Sequence, residues 1–384
     1  MHADKHTRCR PTRLAGTLLT TGLLTTALLA TTLATARVQA AVTARATSTE
    51  AGTAAPGWRV VKRIGPASDS PSGLIAAVSA TDAWSVWSGP TTALIERWTG
   101  SEWTSVSLPP GLNAYARSAV AIGASSASDF WLFDTHQTTR ALRLTGGRWR
   151  LQTIPSWVLR RSSGSVTATV AVFGADDVWV FSLNAGAYAA HYNGRTWTKV
   201  SLPAVPAGVS AAGPNDIWAL GQAAGSVMHW NGTRWSAVRL PVLPLPVGAT
   251  VTYSNLTAAG PKDVWLMRSI AFPSSNVPGT AMLHWNGKAW LAAPSPADIV
   301  GSLVPDGDGG LWANGIDINP GGFWLLYHLS AGRWTTYEPP SAVFSHSPED
   351  LAWIPGTRSV WSIGSGLDLG SPASYYGLIL KYGA

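Results

Sequence analysis

The chain has 384 residues, among them 21 Trp, 39 Gly and 26 Pro, and only 12% are charged. Trp is far above ordinary usage and charge is about half the usual share. Helical periodicity is absent outside the N-terminal region, which excludes a helical protein and predicts an all-β chain of many short strands joined by turns.

The N-terminal 40 residues have the pattern of a secretory signal peptide. A basic segment ends at Arg13, an uncharged apolar stretch follows over 14–33, and small residues precede Ala40. We predict cleavage after Ala40 and a secreted, extracellular protein. The alternative is an uncleaved membrane anchor, because about 20 apolar residues can just span a bilayer. Cleavage would remove Cys9, the single cysteine, and with it any possibility of a disulfide.

Cleavage also changes the charge argument. The formal net charge of +7 would fall to +3, with 22 basic and 19 acidic residues left. The high positive charge, which would have been the main indication of a nucleic-acid partner, therefore belongs largely to the predicted signal peptide, and we expect no such partner. Residues 41–56 are small and polar and are expected to form a flexible linker. We expect residues 57–384 to form the folded domain, as a monomer.

Tryptophan marks a repeating unit at two positions. The first position follows an acidic or turn residue, and the spacing between successive units is 39 to 49 residues. The first series is Trp84, Trp131, Trp179, Trp218, Trp265, Trp312 and Trp361. The second series is Trp103, Trp149, Trp197, Trp235, Trp290 and Trp334. A repeat of about 40–50 residues is typical of a β-propeller blade.

Each unit divides into four strands, A to D, with a glycine turn between C and D. Asn193-Gly194, Asn231-Gly232 and Asn286-Gly287 occupy that turn in three units. Asn-Gly between apolar strands predicts a hairpin with a type I′ turn, which needs positive φ at both central residues.

The seventh unit lacks its fourth strand, and an isolated strand precedes the first unit. Residues 57–66 have the pattern of strand D and would add Trp58 to the second Trp series. Joining them to the C-terminal strand completes the repeat. We therefore predict a seven-bladed β-propeller of four-stranded blades, closed by an N-terminal strand that completes the last blade. Closure removes the exposed edges of an open sheet.

The repeat resembles that of a known group of propellers. Asp263-Val264-Trp265 followed by His284-Trp285-Asn286-Gly287-Lys288-Ala289-Trp290 is similar to the repeats of bacterial secreted β-propellers near the Asp-box and kelch-like groups. The resemblance covers roughly 57–384 and implies the fold. It says little about activity, because propellers include enzymes, lectins and scaffolds. A true Asp-box, Ser-x-Asp-x-Gly-x-x-Trp, is not reproduced.

Recurrent polar residues within the repeat are interpreted as structural. The turn aspartates are Asp82, Asp129, Asp177, Asp216 and Asp263. One histidine per blade follows in four units, at His191, His229, His284 and His328. Residues related by the repeat cannot converge on one metal ion, so we expect the histidines to bond the turn aspartate or a carbonyl. The two Trp series are expected to pack between blades rather than bind sugars.

Insertions outside the repeat supply the candidate site. The B–C connections are long in the last three units, and two D–A connections are extended. In a propeller these connections emerge on one face, where ligands usually bind. The predicted rim consists of Trp157, Arg160, Arg161, Tyr253, Phe272, Asn276, Asp317, Asn319, Asp368, Tyr375 and Tyr376.

Aromatic side chains with Asn and Asp favour sugar or peptide binding. We predict a secreted, non-catalytic binding propeller whose ligand is a glycan or an extracellular surface protein, with no metal and no cofactor. One alternative is a secreted hydrolase or lyase that cleaves a polysaccharide or lactone on the same face. Another is a purely structural interaction platform. Gly-x-Ser-x-Gly, His-Glu-x-x-His and phosphate-loop motifs are absent from the sequence.

Overall fold

The computed structural model describes residues 57–67, 71–88, 93–136, 138–162, 165–272, 279–296, 299–316, 324–340, 346–368 and 374–383. They belong to one compact unit, Ala54–Ala384. The predicted signal peptide (1–40) and linker (41–56) lie outside the described residues and stay predictions. Within the described part of the chain, no helix has the length and apolar character needed to cross a membrane.

Seven four-stranded antiparallel sheets form the seven blades of a propeller, as predicted. In each blade the strands follow the order A to D from the axis outward. The A strands are β2 (Ser72–Ser79), β6 (Ala119–Ser126), β12 (Ala168–Gly174), β16 (Pro206–Gly213), β20 (Thr250–Gly260), β24 (Ile299–Pro305) and β28 (His346–Trp353). The B strands are β3 (Asp82–Ser88), β7 (Asp129–Asp134), β13 (Asp177–Ser182), β17 (Asp216–Gly221), β21 (Asp263–Ala271), β25 (Leu311–Ile316) and β29 (Val360–Asp368).

The outer strands complete the blades. The C strands are β4 (Ala93–Trp98), β8 (Arg140–Thr145), β14 (Tyr188–Tyr192), β18 (Ser226–Trp230), β22 (Gly279–Trp285), β26 (Trp324–Ser330) and β30 (Ser374–Tyr382). The D strands are β5 (Trp103–Val106), β9 (Arg148–Thr153), β15 (Trp197–Ser201), β19 (Trp235–Arg239), β23 (Trp290–Ala293), β27 (Arg333–Tyr337) and β1 (Trp58–Ala67). A short helix, α1 (Asn113–Ala116), and a hairpin of β10 (Arg161–Ser162) and β11 (Ser165–Val166) lie in D–A connections.

The N-terminal strand closes the ring, which confirms the predicted strand exchange. The last blade has the order β1-β30-β29-β28. Trp58 lies opposite Tyr382, and Ile64 lies opposite Gly377. The outermost strand of the last blade therefore comes from the start of the domain, and the two ends of the domain are paired side by side.

The Asn-Gly turns differ from the predicted type I′ geometry. In the third blade four residues join Tyr192 to Trp197, and φ is 87° at Gly194, whereas Asn193 is not among the positive-φ residues. The Asn193 Oδ1 accepts hydrogen bonds from the backbone N–H groups of residues 195 and 196, at 3.1 and 2.9 Å. Because the asparagine side chain caps the turn in this way, its own backbone stays in a common conformation.

Positive φ at both central residues occurs instead in the two-residue C–D turns. The φ angles are 55° and 72° at Gly146 and Gly147, and 48° and 73° at Ala331 and Gly332. Two-residue hairpins need this pair of left-handed residues to match the strand twist. Loop length, rather than the presence of Asn-Gly, decides the turn geometry in this protein.

Tryptophan packing joins neighbouring blades, as expected. Each strand-B Trp is buried. Among the described residues, six of the seven make an edge-to-face contact with the strand-D Trp of the next blade. Ring centroids are 6.0 Å apart for Trp131 and Trp197 and 5.2 Å apart for Trp361 and Trp103. The other pairs are Trp84–Trp149, Trp179–Trp235, Trp218–Trp290 and Trp312–Trp58. Edge-to-face pairs of this kind add about 0.5–1.5 kcal/mol each beyond the area that they bury.

A stacked histidine links the Trp to the turn aspartate. In the fourth blade His229 stacks on Trp218 with centroids 4.2 Å apart. The Asp216 Oδ1 lies 2.7 Å from His229 Nε2 and accepts a hydrogen bond from Trp218 Nε1 at 2.9 Å. The other histidine–aspartate pairs are His191–Asp177, His284–Asp263 and His328–Asp306. The predicted structural role is confirmed for all four histidines.

Other blades place a basic side chain where the histidine stands. Arg97 bonds Asp82 at 3.0 Å, and Arg143 lies 3.6 Å from Asp129 and stacks over Trp131. These residues all lie near the A–B turns, at the end of the blades opposite the B–C and D–A connections. These charged residues of the repeat therefore contribute to packing. We call the opposite end of the blades, where the B–C and D–A connections emerge, the loop face.

An ion pair with a buried carboxylate reinforces the closing interface. Lys62 on β1 lies 3.1 Å from Glu96 on β4 of the first blade, and the Glu96 side chain is only 1% exposed. The Lys62 ammonium also donates to the Trp103 carbonyl at 3.1 Å, and the Ser105 hydroxyl donates to Glu96 at 2.6 Å. The N-terminal strand thus neutralises a carboxylate that belongs to the next blade.

Removing the lysine charge should destabilise the ring. We expect Lys62→Met to lower the free energy of unfolding by on the order of 3 kcal/mol, because it leaves Glu96 buried without its cation. Chemical denaturation measures the change. Lys62→Met combined with Glu96→Gln should recover most of the loss; equal loss in the single and double variants would contradict an electrostatic role for the pair.

Candidate functional site

The D–A connection between the second and third blades is a built part of the loop face. Ile154, Val158 and Leu159 are each only 1% exposed and belong to the hydrophobic core between these blades. The Ser182 hydroxyl donates to the Val158 carbonyl and accepts from the Arg160 N–H at 3.1 and 2.9 Å. The connection is therefore anchored, and it holds Trp157 and Arg160 in place, in the connection where they were predicted.

Trp157 is part of a cluster with a tyrosine and a lysine. The Tyr188 hydroxyl donates to the Trp157 carbonyl at 2.7 Å, and the two rings meet at 66° with centroids 6.2 Å apart. The Lys199 ammonium lies 5.1 Å from the Trp157 centroid and 5.0 Å from the Tyr188 centroid. Lys199 is exposed, whereas both rings are half-buried. The cluster presents a cation held over two aromatic faces.

Four predicted rim residues lie on paired strands rather than in connections. Tyr253 lies on β20 opposite Arg268. The sequence predicts Asp368 and Tyr375 in a connection over 365–375 and Tyr376 at the start of strand C, whereas β29 and β30 extend so that all three residues are paired. The apolar and small residues around them pair as a continued hairpin, so the connection of the last blade is shorter than predicted. The side chain of Asp368 lies outside the described residues.

Tyr376 also carries a cation on its ring. The Arg63 guanidinium carbon lies 5.0 Å from the Tyr376 centroid, across the pairing of β1 with β30. Arg63 is exposed and Tyr376 is half-buried. The closing strand thus supplies a basic group to the loop-face end of the last blade.

The remaining rim residues are not brought together by the described structure. Phe272 follows β21 and is half-buried; a side chain at Gly279 would meet the Phe272 ring at 3.1 Å, so this ring covers the start of β22. Asn276, Asp317 and Asn319 lie outside the described residues and stay predictions.

Basic side chains dominate the described part of the loop face. Exposed cations occur on its connections and strand ends from the last blade round to the third. They are Arg63, Arg117, Arg140, Arg160, Arg161 and Lys199. The nearby Asp134 is buried and accepts hydrogen bonds from the Ser118 hydroxyl and the His136 backbone. This face therefore attracts anionic groups. Sequence reasoning missed Arg63, Arg140, Tyr188 and Lys199, because they occupy ordinary positions within the repeat.

Two adjacent carboxylates stand out on the inner strands. Glu349 and Asp350 on β28 are the only Asp, Glu, Lys or Arg residues in the seven A strands. A register shift between Pro348 and Asp350 marks a β-bulge at Glu349, whose carboxylate accepts the Gly73 N–H of the first blade at 2.9 Å. Two neighbouring acids in an otherwise uncharged strand are a signal that is visible in the sequence.

The surroundings of the pair raise the pKa of both carboxyl groups. Burial raises the pKa of Asp350 to about 7, the Glu349 carboxylate adds to the rise, and backbone hydrogen bonds from Leu351 and Ile75 oppose it. Burial also raises the pKa of Glu349, although the Gly73 amide and the Ser72 hydroxyl bond to it. Glu349 is exposed and Asp350 is half-buried. Water therefore reaches both carboxyl groups, although protein atoms surround most of each side chain.

The described residues contain no candidate metal site. Across the described ranges, no group of three or more His, Cys, Asp or Glu side chains is placed to hold a metal ion. Near the A–B turns each of the four histidines contacts a single aspartate, and on β28 two carboxylates are adjacent in sequence.

Comparison with known proteins supports the fold. No family model and no curated protein matches the sequence. The structure titled "YCF48 bound to D1 peptide" is similar with a TM-score of 0.54 and 11% identity, covering 88% of this chain and all 100% of that one. YCF48 from Cyanidioschyzon merolae is similar with a TM-score of 0.53 and 12% identity, covering 85% of this chain and 98% of that one. At this identity the likeness shows a shared fold.

Protonation of Asp350 should stabilise the ring. Its pKa is higher in the folded protein than in the unfolded chain, so its contribution is fully present below about pH 4 and is lost as the pH rises through about 7. We expect the melting temperature to be higher at pH 5.5 than at pH 8. The free energy of unfolding should differ between these pH values by at most about 4 kcal/mol. Asp350→Asn should reduce this difference and Asp176→Asn, an exposed control, should not; an unchanged pH dependence in Asp350→Asn would contradict the assignment.

Proposed function

We propose that the protein is a non-catalytic binding propeller that holds an acidic segment of a partner protein on its loop face. The observation that carries the proposal is Lys199, whose ammonium is held over the rings of Trp157 and Tyr188. The exposed Arg160 follows Trp157 by three residues in the same connection. A positioned cation loses little freedom when it bonds a carboxylate, and the rings beside it offer apolar contact to the same ligand.

The same geometry disfavours a neutral glycan at this cluster. Sugars stack on open aromatic faces, whereas here a cation lies over the faces of Trp157 and Tyr188, and another lies over Tyr376. A carboxylate can pair with these cations without displacing them. Of the two ligand classes expected from the sequence, the geometry therefore favours a protein.

The comparisons add support at the level of the fold. The similar YCF48 structure is of a propeller bound to a peptide, so a ring of this architecture offers a surface on which a peptide can lie. We further propose that the partner is extracellular, because residues 1–40 have the pattern of a signal peptide.

Cleavage of a polysaccharide or lactone is a second candidate, and one observation favours it. Asp350, with a pKa raised to about 7, adjoins Glu349, and a general acid or base works best with a pKa near the operating pH. Both carboxylates, however, accept backbone hydrogen bonds from the first blade, which gives them a structural role. Product release by the wild-type protein that Asp350→Asn abolishes would establish the enzyme.

Binding of an acidic polymer tests the proposal. We expect the protein to bind poly-L-glutamate, with an affinity that falls as salt is added. Lys199→Ala and Arg160→Ala should each weaken binding about tenfold, because each removes a charge-assisted contact. Fluorescence anisotropy gives the dissociation constants, and equal melting temperatures show that the variants are folded.

A matched control separates this face from general basicity. Lys288 is an exposed lysine in a C–D turn at the opposite end of a blade, so Lys288→Ala should bind like the wild type. Equal weakening by Lys288→Ala would contradict the proposed face. Retention on chitin or cellulose that Lys199→Ala leaves unchanged would contradict the ligand class.

A further inference from the structure

The D–A connection between the fourth and fifth blades exposes an apolar surface. Residues 240–249 contain neither helix nor strand. Val242 is 98% exposed, Leu245 38% and Val247 102%, and among the described residues only Leu291 joins them as an exposed large hydrophobic side chain. Such side chains concentrated within six residues mark an interaction surface rather than scattered exposure.

Prolines fix the backbone of this segment. Pro241, Pro244 and Pro246 have no N–H group and a restricted φ, so the segment cannot pair as a central strand. Leu240 is buried and Leu243 packs on the core between the blades, whereas Val242 and Leu245 are exposed. This spacing of three fits an extended polyproline helix, which has three residues per turn, with one edge against the protein and another outward.

Contacts from the blade hold the segment in place. The Arg268 guanidinium, which is buried, donates to the Pro244 carbonyl at 3.2 Å. The Ala249 N–H donates to the Pro246 carbonyl at 3.0 Å and closes a turn before β20. Because the segment is ordered by the protein itself, a partner would bind it with little further loss of backbone entropy.

We propose that residues 241–247 are a docking segment for a second protein, whose groove is lined with aromatic rings. Such grooves bind proline-rich segments in the extended polyproline conformation, with proline and aliphatic side chains between the rings. The exposed Arg239 just before the segment would contact an acidic residue at one end of the groove. Interfacial insertion into lipid fits less well, because the segment lacks the Trp or Phe side chains typical of such contacts.

This docking segment is independent of the acidic ligand proposed for the Lys199 cluster. It presents apolar side chains and carbonyl groups, so its contacts should resist salt that weakens binding to Lys199.

Photo-crosslinking from the segment tests the inference. The full chain carries a photoreactive phenylalanine at position 245, or at position 291 as a control on the outer strand β23, and is irradiated with the secreted proteins of its own organism. We expect a partner protein to be cross-linked from position 245 and not from position 291. The cross-linked peptide of that partner should contain at least two aromatic residues. A synthetic peptide of residues 240–249 should reduce the cross-link at least fivefold, and the same peptide with alanine for proline should not.

Variants of the chain make the outcome decisive. Pro244→Ala with Pro246→Ala should lower the cross-link at least fivefold at an unchanged melting temperature, because both side chains are exposed. Lys199→Ala should leave it unchanged, which separates this inference from the proposed function. Cross-links only to lipid, only to a second copy of this chain, or equal at 245 and 291 would overturn it.

Discussion

The ring depends on the contact of a strand-B tryptophan with the strand-D tryptophan of the next blade, which the described residues make at six of the seven interfaces. A single four-stranded sheet cannot bury these rings, since they lie on the surface that faces the neighbouring blade. Trp58 completes the series by packing on Trp312 with centroids 5.1 Å apart. The ring therefore needs its N-terminal strand for two reasons, to bury a tryptophan at one interface and to pair Glu96 with Lys62 at the next.

This packing explains where function can reside. The histidine–aspartate pairs and their basic equivalents are used to orient the tryptophans at one end of the blades. The other end carries the D–A and B–C connections, where side chains are not needed for packing between the blades. There the cations over Trp157, Tyr188 and Tyr376 and the apolar proline-rich segment form two chemically different surfaces. These are the two surfaces on which we propose that proteins bind.

The sequence was sufficient to predict the blades because their spacing is imposed by Trp packing, which leaves a periodic signal. It was also sufficient for the closure, since Trp58 restores a missing member of the series. The candidate site was predicted only in part. Lys199 and Tyr188 occupy ordinary strand positions, and only the folded connection brings Trp157 against them. Tyr375 was assigned to a connection because hairpin length depends on pairing across strands, which a single strand's pattern does not record.

Native-state hydrogen exchange of β1 tests the closed ring most directly. The amides of Val60, Lys62 and Ile64 should exchange as slowly as those of β30, and only through global unfolding, if the N-terminal strand is an integral part of the last blade. We predict that the amides of both strands report the same free energy of opening. This free energy should decrease equally for both strands as denaturant is added. Amides of β1 that exchange through a much smaller opening while β30 stays protected would contradict the account.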